Sequence, residues 1–153
     1  MDNKYKHINA NNPNNDRVES IPWTEMSIKK AEELLKKSVA HKIIDLESEN
    51  YLALLSGDNR VAVLSLPTEG SSYEIAERMI SAIDSLGNES KNVIYALEVE
   101  NKWALAPDHS VISQMMDEHY NVKREIVGTT GNETTEEFSM YLQYSNVIVG
   151  LIL

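Results

Sequence analysis

Apolar positions recur along this chain in two rhythms, one helical and one of short continuous runs. Ile28, Ala31, Leu34 and Leu35 fall on one helical face, with Lys29, Lys30, Glu32, Glu33, Lys36 and Lys37 opposite, which predicts a first helix ending near Ser38. Thr24 or Ser27 can cap its start, and Lys36-Lys37 occupy the last turn, where the helix dipole favours cations. Ile75, Ala76, Met79, Ile80 and Ile83 make the stripe of a second helix from Tyr73 to Leu86, with Gly87 as the residue that ends it. Pro107-Asp108 opens a third helix with Val111, Ile112, Met115 and Met116 on one face, ending near Tyr120-Asn121. Glu133 to Tyr144 is expected as a fourth, carrying Phe138, Tyr141 and Leu142.

The continuous runs predict strands. Ile43 to Leu66 (IIDLESENYLALLSGDNRVAVLSL) is expected to form a three-strand meander, with Gly57-Asp58-Asn59 as a hairpin turn between Asn50–Ser56 and Arg60–Leu66. Pro67 ends the last of these strands. Asn92–Val99 is a strand, Glu100-Asn101 a tight turn and Lys102–Ala106 the return; Val122–Val127 is a weaker strand, followed by a Gly128–Asn132 loop. Val147–Leu153 is apolar on both sides and therefore belongs inside the sheet. The fold class is α+β, a mostly antiparallel sheet with about four helices packed on its faces. Residues 23–153 make one such domain, and residues 1–22, Asn-rich and polar, a flexible arm from which Trp23 folds back.

At 153 residues the chain is long enough for a core without staples. It holds no Cys, which excludes disulfides and thiolate metal sites; a cytoplasmic home fits this, although secreted proteins can also lack Cys. No apolar run approaches the roughly 20 residues of a membrane span, and the N-terminus lacks the hydrophobic segment of a secretory signal. The net charge of −10 is unevenly placed. Residues 1–40 hold seven Lys/Arg against six Asp/Glu, and the rest hold seven against eighteen. Such a body repels nucleic acid and anionic membrane and attracts basic partners, while the same acidity also serves solubility.

Candidate chemistry is sparse. His109 and His119 flank the third helix near Asp108, Asp117 and Glu118, but ten residues is not the i, i+4 spacing that puts two ligands on one face. Gly128–Asn132 has the outline of a phosphate cradle, yet it lacks a Lys, and Glu133, Glu136 and Glu137 already occupy the positive end of the helix that follows. No Gly-x-Ser-x-Gly elbow or Cys nucleophile is present. No catalytic, cofactor or metal residue is assigned, and the expectation is a binding protein rather than an enzyme. The pairs Glu47/Glu49 and Glu98/Glu100, placed near predicted turns, and Asp117 and Glu118 are candidate rim carboxylates for a basic protein partner, with Trp103 as a possible anchor. Each of these also fits an ordinary solvated surface.

Two resemblances bear on function. The order helix, three strands, helix, two strands, helix, carried by Ile28–Leu35, Ile43–Leu66, Tyr73–Leu86 and Val93–Ala106, resembles the class I chaperones of type III secretion. That likeness implies a cytosolic dimer that holds an extended segment of a secreted protein. In composition and architecture, without any motif, the chain also resembles immunity proteins of bacterial toxin–immunity pairs, including contact-dependent growth inhibition. This second likeness implies a small acidic α+β protein that neutralises a cognate basic toxin domain, a nuclease by expectation, by covering its active face.

Overall fold

A computed structural model describes residues 22–100, 105–130 and 143–153. Ten elements follow one another: β1 (Thr24–Ser27), α1 (Ile28–Lys37), β2 (His41–Glu47), α2 (Tyr51–Ser56), β3 (Arg60–Ser65), α3 (Ser72–Ser85), β4 (Asn92–Val99), α4 (Leu105–His119), β5 (Asn121–Thr129) and β6 (Tyr144–Ile152). The strands form one sheet in the order β1-β3-β6-β4-β5-β2. Every neighbouring pair is antiparallel except β4 and β5, which α4 connects as a parallel crossover. The α+β class and the mostly antiparallel sheet are as the sequence predicts.

Alternation along the strands makes two cores. Ala62, Leu64, Tyr95, Leu97, Val127, Val147, Val149 and Leu151 face α3 and α4, where Trp23 is also buried. Val61, Val63, Ile94, Ala96, Ile126, Ile148 and Ile152 face α1 and α2. β6 lies between β3 and β4 as its two-sided apolar pattern requires. Its Gly150 allows this density, because a Cβ there would stand 2.9 Å from Ile94 Cγ1 and 3.0 Å from Val61 Cγ1. The helix signals also hold locally. Ser27 caps α1 by accepting from the Lys30 N–H at 3.2 Å, Ser71 and Glu74 form a capping box at α3, and Gly87 exits α3 at positive φ.

The expected Ile43–Leu66 meander is replaced by strand, helix, strand. Tyr51, Leu54 and Leu55 stand at i, i+3 and i+4 and turn inward together, so the segment coils as α2 instead of pairing. Asn59 Nδ2 donates to Leu54 O at 2.6 Å, which makes Gly57-Asp58-Asn59 a helix exit and not a hairpin turn. β2 and β3 end up far apart in the sheet, β2 at one edge and β3 beside the opposite edge. The element order that carries the chaperone resemblance is therefore absent.

Two further expectations change. Leu105 and Ala106, expected to close a return strand, begin α4; Lys102 to Ala104 lie outside the described residues. Gly128 and Thr129, expected in a loop, belong to β5, an interior strand rather than a weak one. A Cβ on Gly128 would fall 1.9 Å from the His41 carbonyl oxygen, so only glycine fits where β2 crosses it. The expected helix from Glu133 lies outside the described residues as far as Leu142, and Tyr144 opens β6. The arm lies outside them up to Ile21.

Candidate functional site

Arg124 and Glu125 are consecutive in β5 and therefore point to opposite faces of the sheet. Each is buried and charged, and each organises a cluster. Their surroundings differ in kind.

On the α1–α2 face, Arg124 is 2% exposed and fully engaged. Its Nε and Nη2 donate to Glu32 Oε1 and Oε2, both at 3.0 Å, while Nη1 donates to the Asp45 carboxylate and to Leu46 O at 3.2 Å. Tyr51 donates its hydroxyl to Glu32 Oε1 at 2.7 Å, and Lys36 Nζ lies 3.3 Å from Glu32 Oε2. Burial alone would raise the Glu32 carboxyl; hydrogen bonds from Arg124 and Tyr51, with the Arg124 charge and Lys36, outweigh it and hold the group below its ordinary 4.5. Glu47 completes the shell, its Oε1 lying 4.0 Å from Arg124 Nη2. A bidentate, water-excluded pair of this kind fixes α1 and β2 onto β5 and commits the guanidinium to partners within the fold.

On the opposite face, Glu125 is 6% exposed and accepts from the Tyr95 hydroxyl, which is also hydrogen-bonded to Ser113 of α4. Burial and the Glu125 charge raise the phenol well above its ordinary value, so Tyr95 stays a neutral donor. Asp117, one turn along α4 from Ser113, has its carboxyl raised above 3.8 by burial and by the Glu125 charge. A cleft of about 320 Å³ opens here between α4 and the end of β2, lined by Leu46, Glu47, Ser48, Ser113, Asp117, Val122, Lys123, Arg124 and Glu125. A shallower depression of about 450 Å³ continues along α4 past Ser110, Gln114 and Glu118, sharing Ser113 and Asp117 with the first. Both cations of the lining have other partners, since Lys123 Nζ donates to Asn50 Oδ1 at 3.1 Å and Arg124 is held by Glu32 and Asp45. What the cleft offers is carboxylate, hydroxyl and one apolar wall, a surface suited to an incoming ammonium or guanidinium.

The candidate residues of the sequence separate on this frame. Glu47 and Asp117 meet in the cleft, Glu118 borders its extension, and Glu49 is exposed in the turn beyond Ser48. Glu98 requires correction. It is buried in β4, where it accepts from Ala40 N at 2.7 Å, Ser145 Oγ at 2.9 Å and Asn146 Nδ2 at 2.6 Å, latching the α1–β2 connection to the sheet. Glu100 is half-buried, with its backbone N–H donating to Gln143 O at 2.8 Å. Trp103 and the His109 side chain lie outside the described residues. His119 is exposed and stacks edge-on with Tyr120. Among the described residues, no three His, Asp or Glu side chains converge as a metal site, and no helix is long and apolar enough to cross a membrane.

Sequence reasoning passed over Glu32, Tyr95, Ser113, Arg124 and Glu125. One signal pointed to two of them: Lys123-Arg124-Glu125 puts three charges in a run otherwise fit for a buried strand, and a charge inside a sheet needs a partner. A larger cleft, about 690 Å³ between the end of β3 and α3, is walled by Pro22, Leu64, Leu66, Pro67 and Ala82, with Arg78, Glu74 and Glu77 around it. Arg78 is already engaged there, donating from Nη2 to Glu69 O. Comparison of the chain with protein-family models, curated proteins and solved structures finds no match.

Proposed function

We propose that this chain is a binding protein of the immunity type, which neutralises a basic protein partner by covering that partner's active face. The observation that carries this reading is the α4–β2 cleft, whose lining brings the carboxylates of Glu47 and Asp117 together while its cations, Arg124 and Lys123, have other partners. A basic side chain entering the cleft meets these carboxylates, and Glu49 and Glu118 extend the same sign of potential across the surrounding surface. Eleven more acidic than basic residues beyond position 40 add long-range steering, which speeds encounter with a basic domain at low salt. A nuclease domain, with its basic substrate-binding face, is the partner class this charge pattern suits best.

The test is capture of a partner from the native host by the tagged chain, followed by expression of that partner alone. A basic protein that arrests growth alone and is silenced by co-expression of this chain is the expected result. The double variant Glu47→Lys/Asp117→Lys should lose both capture and protection. If that variant protects as well as the natural chain, the acidic cleft is not the docking face. A dimer that captures an extended segment of a secreted protein would instead support a chaperone.

A further inference from the structure

We infer that the partner docks by adding a strand to the outer edge of β2. The inference rests on the proposed binding of a basic protein and assigns it a geometry. β2 is seven residues long and stands last in the sheet, and among the described residues no strand pairs with its outer side. Such an edge presents a row of backbone donors and acceptors ready for another chain.

The two edges of the sheet differ. β1, at the far edge, has four residues and follows Pro22, so it is too short to serve as a template. β2 exposes Ile43 at 53% and Leu46 at 57%, apolar surface of the kind that edge strands usually avoid. Its first half carries two common guards of an edge, Lys42 and a register shift between Lys42 and Ile44. From Ile44 to Glu47 the pairing with Val127–Arg124 is regular, and this stretch is the open template.

Register sets what an added strand would meet. Asp45 and Glu47 lie opposite Ile126 and Arg124 and so share the α1–α2 face, whereas Leu46 lies opposite Glu125 on the α4 face beside Asp117. A strand laid along Ile44–Glu47 therefore finds carboxylates on both faces and an apolar contact at Leu46. The segment that fits is extended and basic, with apolar residues interspersed. Backbone pairing would supply much of the affinity, and a Lys or Arg reaching Asp117 would supply the selectivity.

A capped eight-residue peptide alternating Lys and Val tests this against isotope-labelled protein, beside a Glu-Val copy and a Lys-Val copy N-methylated at every interior amide. The Lys-Val peptide should bind saturably and slow hydrogen exchange at least tenfold at those amides of Ile44–Glu47 that exchange freely in the unbound protein. The N-methylated copy, equal in charge but unable to pair, should bind at least tenfold more weakly, and the Glu-Val copy should not bind. The variant Ile43→Lys/Leu46→Lys, altered only at exposed positions, should lose at least tenfold in affinity for the Lys-Val peptide.

Three results would overturn strand addition. Equal binding of the N-methylated copy would mean attraction of charge alone. Full protection of all Ile44–Glu47 amides in the unbound protein would mean that the edge is already covered. Absence of any Lys-Val binding would remove the edge as a template. In each case, loss of capture in Glu47→Lys/Asp117→Lys would still uphold the acidic docking face, so the two proposals fail separately.

Discussion

Arg124 and Glu125 occupy adjacent positions in one strand, yet their clusters differ in kind. Arg124 has its guanidinium spanned by buried Glu32 on one side and by the more exposed Asp45 with Leu46 O on the other, on the face that α1 and α2 cover. Glu125 and Asp117 stand with like charge on a face that α4 covers only in part, leaving a cleft of about 320 Å³. The first arrangement satisfies charge with opposite charge; the second holds Glu125 by the neutral Tyr95 hydroxyl, beside the like charge of Asp117. A buried ion by itself thus says little about function. What matters is whether the groups around it carry the opposite charge or its own.

The largest expected effect breaks the closed side. Arg124→Met should cost about 3–5 kcal/mol, because Glu32 would remain buried without its partner. Chemical denaturation checks this, and a loss below about 1 kcal/mol would mean that water reaches Glu32 and that the two sides do not differ as described. Gly128→Ala acts on both sides at once, since its Cβ would strike the His41 carbonyl oxygen and push β2 off β5. It should cost about 1–3 kcal/mol in the same assay and should also weaken binding of a basic partner, because β2 carries one wall of the cleft.

These two positions show where the sequence was legible. α1 and α3 could be read because each has a full amphipathic period and a cap, and β6 because a seven-residue apolar run admits no surface placement. α2 could not, since six residues hold too little of a helical period to distinguish Tyr51-Leu-Ala-Leu-Leu from a strand. β5 looked weak because Arg124 and Glu125 read as surface residues; their partners, Glu32 and Tyr95, lie 92 and 30 positions away in the chain. Glu98 read as a strand-end carboxylate for the same reason, its donors Ser145 and Asn146 arriving with the last strand. Glu47 and Asp117 were legible as acidic residues, and only the fold brought them to one cleft.

Acid separates the two sides by sign. Glu32 holds its proton less tightly in the folded protein than in the unfolded chain, so its contribution is full above 4.5 and is lost as pH falls through the lower folded value. Asp117 behaves oppositely. Its folded value lies above 3.8, so its ionisation costs stability at neutral pH, and protonation relieves that cost as pH falls through the raised value. Stability measured from pH 7 down to about pH 3 should therefore fall less steeply in Glu32→Gln than in the natural chain, and slightly more steeply in Asp117→Asn. Parallel curves for the natural chain and Glu32→Gln would mean that Glu32 titrates alike in both states.

The smallest stability effect sharpens the comparison most. Asp117→Asn keeps the size and polarity of the side chain while removing the charge that crowds Glu125. At neutral pH its stability should stay within about 0.5 kcal/mol of the natural chain, on the favourable side of zero, because a repulsion is lost and no charge is left without its partner. Arg124→Met has no such escape, since removing one member of a closed pair exposes the cost of the other. Yet Asp117→Asn should slow association with a basic partner at low ionic strength and lose that difference as salt is raised. Stopped-flow association at two salt concentrations checks this. An unchanged rate at low salt would place Asp117 outside the docking surface, and a marked loss of stability would mean that its carboxylate is held within the fold, as Glu32 is.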